Sequence, residues 1–223
     1  MNIAFIPVRG GSKSIPLKNI KEINGKPLVY WTVKAANDSK CVEKVVVATD
    51  SEEIKKVVLS FGFEKVIVYD RDSENAQDTS STESVMLEYI TKSDLKDEDK
   101  FFLIQATSPL LKSEQIDEMY AKFINSDADS IFTGVVEKRF YWKTDKEGFV
   151  TPINYDYKNR PRRQDYEGMV LENGACYINS VGNILRDKNR LSGKITYYEL
   201  PPETAFEIDE PIDWVIIEEL FKK

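Results

Sequence analysis

The chain has 223 residues, of which 41% are hydrophobic, which suits one α/β domain with a sizeable core. Its formal net charge of −7 argues against nucleic acid as the principal partner, because binding to a phosphate backbone needs accumulated cations. It contains no histidine, which excludes histidine bases and histidine metal sites.

The first half of the chain alternates short apolar runs with helical patterns. We predict strands at residues 3–8, 44–48, 65–69 and 101–105, and helices at 27–36, 50–60, 81–91 and 113–125. Asp50, with Glu53 three residues later, resembles a capping box at the start of the second helix. Strands that alternate with helices predict a mainly parallel sheet covered on both faces.

The second half departs from this alternation. A strand is predicted at residues 129–136, and an aromatic, turn-rich segment follows at 140–157, with a hairpin turn at 145–148. Strands at 172–178 and 195–200 and a helix at 211–221 then complete the chain. The interruption is typical of either a lid or a dimer-forming arm.

The loop after the first strand collects cations beside glycines. Arg9, Lys13 and Lys18 lie within ten residues of one another, and Gly10 and Gly11 permit tight turns. Backbone N–H groups and cationic side chains can therefore converge on one polyanion, such as a triphosphate. A plain solvated turn is the alternative.

Two better-known phosphate loops are excluded by spacing. The pattern G-x-x-x-x-G-K-S/T needs a glycine directly before the lysine, whereas Ser12 precedes Lys13. The dinucleotide pattern G-x-G-x-x-G also fails, since the next glycine after Gly11 is Gly25.

The segment R-G-G-S-K-S-I-P-L-K-N, at residues 9–19, resembles the first signature of the acylneuraminate cytidylyltransferases, R-x-x-S-K-G-I/L-P-x-K-N. Ser14 stands where that family generally has glycine. The resemblance implies that the following residues bind the nucleotide: Arg9, Gly11, Ser12, Lys13, Lys18 and Asn19. It also implies catalytic roles for Arg9, Lys13 and Lys18.

The polar segment at residues 69–82 lies between a strand and a helix, where ligands bind in open parallel sheets. From the residues alone, a helix-capping loop is the alternative. The segment resembles the family pattern R-P-x-x-x-A-x-D-x-S/T-x, with Asp72 in place of the proline. The resemblance implies that Arg71, Ser80 and Thr82 contact the cytosine.

The segment L-I-Q-A-T-S-P-L, at residues 103–110, ends a predicted strand. Gln105 there can be structural, satisfying backbone groups at a sheet edge. The segment also resembles the family's central motif, L-x-Q-x-T-S-P-L, which implies that Gln105 faces the sugar.

Residues 160–177 are rich in arginine, but acidic residues follow at once, which disfavours a nucleic-acid patch and favours recognition of a carboxylate. The segment resembles the family motif of R-Q, a short spacer and E-N-G-A-x-Y-I, with Leu171 where many relatives have arginine. The resemblance implies that Arg163, Asn173 and Tyr177 meet an acidic sugar. Lys143 is a further candidate for that substrate.

The segment F-E-I-D-E-P-I-D-W, at residues 206–214, places Glu207 and Asp209 on one face of an extended stretch. Two such carboxylates can hold Mg²⁺, and acidic helix capping before Pro211 is the alternative. The family pattern D-I/V-D-x-x-x-D implies that both carboxylates face the metal and that Asp209 is also catalytic. Glu207 departs from that pattern by one methylene group.

The resemblance spans nearly the whole chain and implies one domain, residues 1–223, with a Rossmann-like, GT-A-like nucleotidyltransferase fold. It implies a dimerisation arm at about residues 137–171 and a homodimer. The implied reaction transfers CMP from CTP to the anomeric hydroxyl of a nine-carbon 2-keto sugar acid, with Mg²⁺. The alternatives are a CMP-Kdo synthetase, another sugar nucleotidyltransferase, or a non-catalytic nucleotide-binding regulator.

The cellular location of the protein is predicted from its cysteines and its hydropathy. No apolar run approaches the roughly 20 residues that span a bilayer, and no secretory h-region is evident. We therefore expect a cytoplasmic protein without a membrane partner, in which Cys41 and Cys176 are reduced thiols.

Overall fold

The computed structural model describes residues 1–11, 14–77 and 80–222. The strands are β1 (Asn2–Pro7), β2 (Glu22–Ile23), β3 (Lys26–Pro27), β4 (Lys44–Thr49), β5 (Val66–Asp70), β6 (Lys100–Ile104), β7 (Ser130–Glu137), β8 (Trp142–Thr144), β9 (Val150–Pro152), β10 (Met169–Ser180) and β11 (Ile195–Glu199). The helices are α1 (Leu28–Asp38), α2 (Glu52–Leu59), α3 (Thr82–Thr91), α4 (Ser113–Ile124), α5 (Val181–Asp187) and α6 (Pro211–Leu220).

Within the described residues, the main sheet has seven strands in the order β11-β7-β10-β6-β1-β4-β5. Strand β10 runs antiparallel to both of its neighbours, and the remaining neighbouring pairs are parallel. Strands β2 and β3 pair with each other, as do β8 and β9. The mostly parallel sheet flanked by helices confirms the predicted α/β fold.

Strand β1 shows why the sheet is buried on both faces. Its alternate residues enter two separate apolar clusters, Ala4 and Ile6 on one face and Ile3 and Phe5 on the other. Helices α1, α2 and α4 cover the first face, and α3 and α5 cover the second. A strand with no polar face is typical of a central parallel strand, as the sequence predicts.

A third apolar cluster joins segments that are distant in sequence. Ile15 from the loop after β1, Ile208 from the segment before α6, and Trp214 and Ile217 from α6 pack together and are at most 5% exposed. This packing fixes the cationic loop against the acidic segment at residues 207–209.

The structure corrects several boundaries. The second helix begins at Glu52, and its N-cap is Ser51, whose hydroxyl accepts a hydrogen bond from the amide of Ile54. The predicted capping role of Asp50 is therefore wrong. Strand β10 begins at Met169, earlier than predicted, because residues 169–172 extend the pairing with β7. The hairpin at Asn24 and Gly25 and the helix α5 were not predicted.

The predicted arm leaves the main sheet where β7 ends and returns at β10. Strands β8 and β9 form a hairpin whose turn is closed by Asp145, which accepts hydrogen bonds from the amides of Glu147 and Phe149. Gly148 lies at φ +90° in this turn. In the parts of the chain that the structure describes, no helix is long and apolar enough to cross a membrane.

Candidate functional site

Two adjoining clefts of about 340 Å³ each lie at the carboxyl ends of β1 and β6, where open parallel sheets bind ligands. The predicted site residues that line the inner cleft are Arg9, Lys18, Asn19, Arg71, Ser80, Thr82, Gln105 and Asp209. The outer cleft shares Arg9, Lys18, Asn19 and Asp209 and adds Gly11. A larger cavity of about 670 Å³, between α1 and the end of α6, is lined by other residues.

Hydrogen bonds to neighbouring segments shape the loop after β1. The amide of Gly10 donates to Asp50 Oδ1 at 2.9 Å, and Asn19 Nδ2 donates to the carbonyl oxygen of Arg9 at 3.0 Å. A Cβ atom at Gly10 would lie 2.9 Å from Cβ of Ser51, so this close approach requires glycine. Asn19, predicted to bind nucleotide, therefore also holds the loop in shape.

Ser12 and Lys13, both predicted to bind the nucleotide, lie outside the described residues. Their roles, including the catalytic role of Lys13, stay predictions.

Lys18 connects the loop to the acidic segment before α6. Its Nζ atom donates to the carbonyl oxygen of Ile208 at 2.7 Å and lies 3.2 Å from Asp209 Oδ1. Ser14, which departs from the family pattern, also reaches this segment, since its hydroxyl donates to the carbonyl oxygen of Asp209 at 2.5 Å. The loop and the acidic segment are thus held together by three hydrogen bonds.

The two predicted metal ligands lie on either side of the buried residue Ile208. The carboxylate of Glu207 is packed over Gly174, where a Cβ atom would lie 2.8 Å from Glu207 Oε2 and where φ is +69°. Burial and the charge of Asp209 raise the pKa of Glu207 to about 7. A cation bound beside both carboxylates would favour the ionised form of Glu207.

Helix capping before Pro211 uses a different carboxylate. Asp213 Oδ2 accepts hydrogen bonds from the amides of Asp209 and Glu210 at 3.0 and 2.8 Å. The side chain of Asp209 instead meets Lys18 and is 69% exposed. Capping therefore does not account for the carboxylate of Asp209.

The residues present fit a Mg²⁺ ion that is completed by substrate. Among the described residues, no group of three or more Asp, Glu or Cys side chains is arranged to hold a metal. Mg²⁺ is commonly bound by one or two carboxylates together with water and substrate phosphates. Glu207 and Asp209, beside a cationic loop, match that donor set.

The opposite wall of the inner cleft comes from the segment between β5 and α3. The Nη2 atom of Arg71 donates to the carbonyl oxygen of Asn75 at 2.5 Å, and burial lowers the pKa of its guanidinium. In the described part of the chain, Arg71 Nε is buried without a hydrogen-bond partner. The hydroxyl of Ser80 donates to the carbonyl oxygen of Glu74. A buried donor without a partner on a cleft wall is suited to a ligand acceptor.

Glu88 holds this wall in shape and was not predicted. Its buried carboxylate accepts hydrogen bonds from the hydroxyl of Tyr69, the amide of Asp72 and the side chain of Asn75. The sequence could have indicated this role, because Glu88 lies in the middle of a helix on its apolar face, and a glutamate is rarely buried without partners.

The predicted sugar-binding residues divide into three groups. Gln105 lines the inner cleft, and its backbone N–H donates to the carbonyl oxygen of Ala175. Lys143 on β8 and Arg163 between β9 and β10 are exposed in the arm and line neither cleft. Asn173 and Tyr177 are buried in β10.

Both buried residues already have partners. Asn173 Nδ2 donates to the carbonyl oxygen and the hydroxyl of Thr204, and the hydroxyl of Tyr177 donates to Glu172 Oε1 at 2.5 Å. To donate a hydrogen bond to a sugar, each group would have to exchange a present acceptor for the ligand. Cys176, between them, is a free thiol, as is Cys41.

The profile of the cytidylyltransferase family matches residues 3–165. The chain belongs to the cytidylyltransferase family. N-acylneuraminate cytidylyltransferase A of Danio rerio is 39% identical over 219 residues, which are 97% of this chain and 50% of that protein. Pseudaminic acid cytidylyltransferase of Campylobacter jejuni is 28% identical over 229 residues, which are 99% of this chain and 96% of that protein.

This cytidylyltransferase-family chain thus spans about half the length of the N-acylneuraminate cytidylyltransferases that it matches. Solved structures share its fold. A 4-diphosphocytidyl-2C-methyl-D-erythritol synthase from Anaerococcus prevotii has a TM-score of 0.75 at 12% identity, covering 100% of this chain and 96% of that one. A CMP:2-keto-3-deoxy-manno-octonic acid synthetase complexed with CTP has a TM-score of 0.71 at 17% identity, covering 99% and 98%.

Proposed function

We propose that this protein transfers CMP from CTP to the anomeric hydroxyl of a nine-carbon 2-keto sugar acid. The observation that carries the proposal is the inner cleft, where residues from four separate sequence motifs meet. Relatives named for the same kind of reaction, N-acylneuraminate and pseudaminic acid cytidylyltransferases, support this reading.

In the proposed reaction the hydroxyl oxygen of the sugar forms a bond to the α-phosphorus of CTP. The bond from that phosphorus to the bridging oxygen breaks, and pyrophosphate leaves. Arg9 and Lys18, with Lys13, balance the charge of the phosphates, while Arg71, Ser80 and Thr82 hold the cytosine. The hydroxyl proton passes to Asp209 or to solvent.

Mg²⁺, held by Asp209 and Glu207, would supply further positive charge to the phosphates. The support for this ion is the pair of carboxylates beside the cationic loop, one of them with a raised pKa. Lys18 pairs with Asp209 in this structure, so it lies where it can contact a phosphate next to the ion.

We propose that the protein acts as a homodimer in which the arm completes the sugar site of the partner. Lys143 and Arg163 are exposed and line neither cleft of their own chain. Phe149, Ile153 and Tyr157, in the same arm, are 70%, 57% and 55% exposed, and such apolar exposure is typical of an interface. From the partner's arm, Arg163 could form a bidentate pair with the sugar carboxylate.

The alternatives predict different behaviour. A CMP-Kdo synthetase would use an eight-carbon acid, and a regulator would bind CTP without releasing pyrophosphate. We favour the nine-carbon acids, because the chain resembles the cytidylyltransferases of such acids over nearly its full length. The acidic charge and the free thiols support a cytoplasmic protein without a nucleic-acid or membrane partner.

Product identification tests the proposal. The protein is incubated with CTP, Mg²⁺ and, separately, N-acetylneuraminate, KDN, legionaminate, pseudaminate or Kdo, and the products are analysed by mass spectrometry. We expect a CMP ester with at least one nine-carbon acid. A CMP ester formed with Kdo alone, or with none of these acids, would contradict the proposal.

A further inference from the structure

Arg190 lies in the turn between α5 and β11, which none of the sequence motifs includes. Its guanidinium Nε donates to Glu83 Oε1 at 2.6 Å, and its Cζ atom lies 5.0 Å from the centre of the Tyr177 ring. The Arg190 and Glu83 side chains are only 19% and 23% exposed, so this ion pair is shielded from solvent. Arg190 therefore joins the start of α3 to the middle of β10.

The backbone on which Arg190 sits is itself fixed. Asn179 Nδ2 donates to the carbonyl oxygen of Arg190 and to the hydroxyl of Ser192. Ser192 in turn exchanges two hydrogen bonds with the hydroxyl of Ser130 on β7. Asn179, Ser192 and Ser130 are at most 4% exposed. The guanidinium is thus held from a rigid base in the sheet.

The partner of Arg190 belongs to the cleft wall. Glu83 directly follows Ser81 and Thr82, which line the inner cleft, and Val85, two residues after Glu83, lines it too. Val85 also packs in the apolar cluster that contains Tyr177. A shift of the first turn of α3 would therefore move the residues proposed to hold the cytosine.

We propose that Arg190 is a positioning residue that fixes the nucleotide-side wall of the cleft against β10. This inference rests on the proposed transfer from CTP. Arg190 acts through Glu83 and Tyr177, and touches neither the cytosine nor the phosphates. Because a charge-assisted hydrogen bond is lost, we expect Arg190→Met to weaken CTP binding roughly tenfold.

The test compares Arg190→Met, Arg190→Lys and the matched control Arg186→Met. Arg186 is an exposed arginine on α5 that pairs with Asp187. For each variant, the Kd for CTP is measured by calorimetry and amide hydrogen exchange is measured across residues 82–87. We expect Arg190→Met to raise both the Kd and the exchange rate at this turn roughly tenfold. Arg190→Lys should restore part of the CTP affinity and part of the exchange protection, because lysine keeps the charge but cannot stack as a planar group on Tyr177.

If Arg190→Met speeds amide exchange at residues 82–87 but leaves the Kd for CTP unchanged, the role of Arg190 is only structural and the inference is wrong. The inference is also wrong if neither the exchange rate nor the Kd changes. A wild-type protein that binds CTP but forms no CMP-sugar would contradict the proposed function, while the variant comparison would still decide the role of Arg190. A wild-type protein that does not bind CTP would overturn both.

Discussion

The carboxylate of Asp209 is 69% exposed and meets Lys18, while the carboxylate of Asp213 caps α6. An exposed ion pair contributes roughly 0–1 kcal/mol to stability, so Asp209→Asn should leave the melting temperature almost unchanged. If Asp209 binds Mg²⁺, the same change should lower kcat by about 100-fold or more. Thermal unfolding and initial rates across a Mg²⁺ titration measure the two effects.

Asp213→Ala is the control for this prediction. It removes a helix cap worth about 1 kcal/mol, which for a chain of this size lowers the melting temperature by roughly 2–4 °C. The carboxylate of Asp213 contacts the backbone of Asp209 and not the proposed ion, so its loss should lower kcat far less than Asp209→Asn does. An Asp209→Asn protein with near-normal kcat would contradict the proposal that Asp209 binds Mg²⁺.

At the scale of one element, the segment between β5 and α3 depends on Glu88. Glutamine at this position replaces one acceptor oxygen with an NH₂ group that faces donors. We expect Glu88→Gln to lower the free energy of unfolding by roughly 1.5–3 kcal/mol. Urea unfolding measures the loss, and Glu219→Gln, which changes an exposed glutamate paired with Lys222, should change stability little.

The effect of Glu88→Gln should depend on pH. Burial disfavours the charge on Glu88, but hydrogen bonds from Tyr69, Asn75 and the amide of Asp72 outweigh it and lower its pKa below the ordinary 4.5. The stability that this lowered pKa represents is present above pH 4.5 and is lost as the pH falls through the folded-state value. The gap between wild type and Glu88→Gln should therefore narrow at lower pH. A gap that widens on acidification would contradict this assignment.

Element order was predictable from the sequence because apolar periodicity is local. The strand that became β1 and the helix that became α4 show their buried residues directly in the pattern. Helix α5 was missed because it is short and because Gly182 and Asn183 are weak helix formers. The roles of Asp50 and Glu88 were missed because they depend on contacts made by the fold: Asp50 accepts from Gly10, forty residues away.

The candidate site was predictable where motif residues lie in loops that follow a strand and line the cleft, as Arg71 and Gln105 do. The part of the site in β10 was harder to predict, because the sequence did not reveal that Asn173 forms a hydrogen bond with Thr204. The need for glycine at 174 arises because Glu207 packs over it, and the two are far apart in sequence. Spacing alone does not reveal such a contact.

At the scale of the whole molecule, the proposed dimer places Arg163 of one chain at the cleft of the other. Arg163→Ala and Asp209→Asn should each be inactive alone. In a mixture of the two variants, random pairing makes about half of the dimers mixed, each with one intact site, so about a quarter of wild-type activity should return. Light scattering on the same samples should report dimers. A monomer with full activity, or an inactive mixture of dimers, would contradict the shared site.

The most direct test of the account is pyrophosphate release by the wild-type protein, measured for CTP, UTP, ATP and GTP with and without each nine-carbon acid. We predict release with CTP that requires both a sugar acid and Mg²⁺, and little release with the other triphosphates. Binding of CTP without release under any of these conditions, or release that needs no sugar acid, would contradict the account.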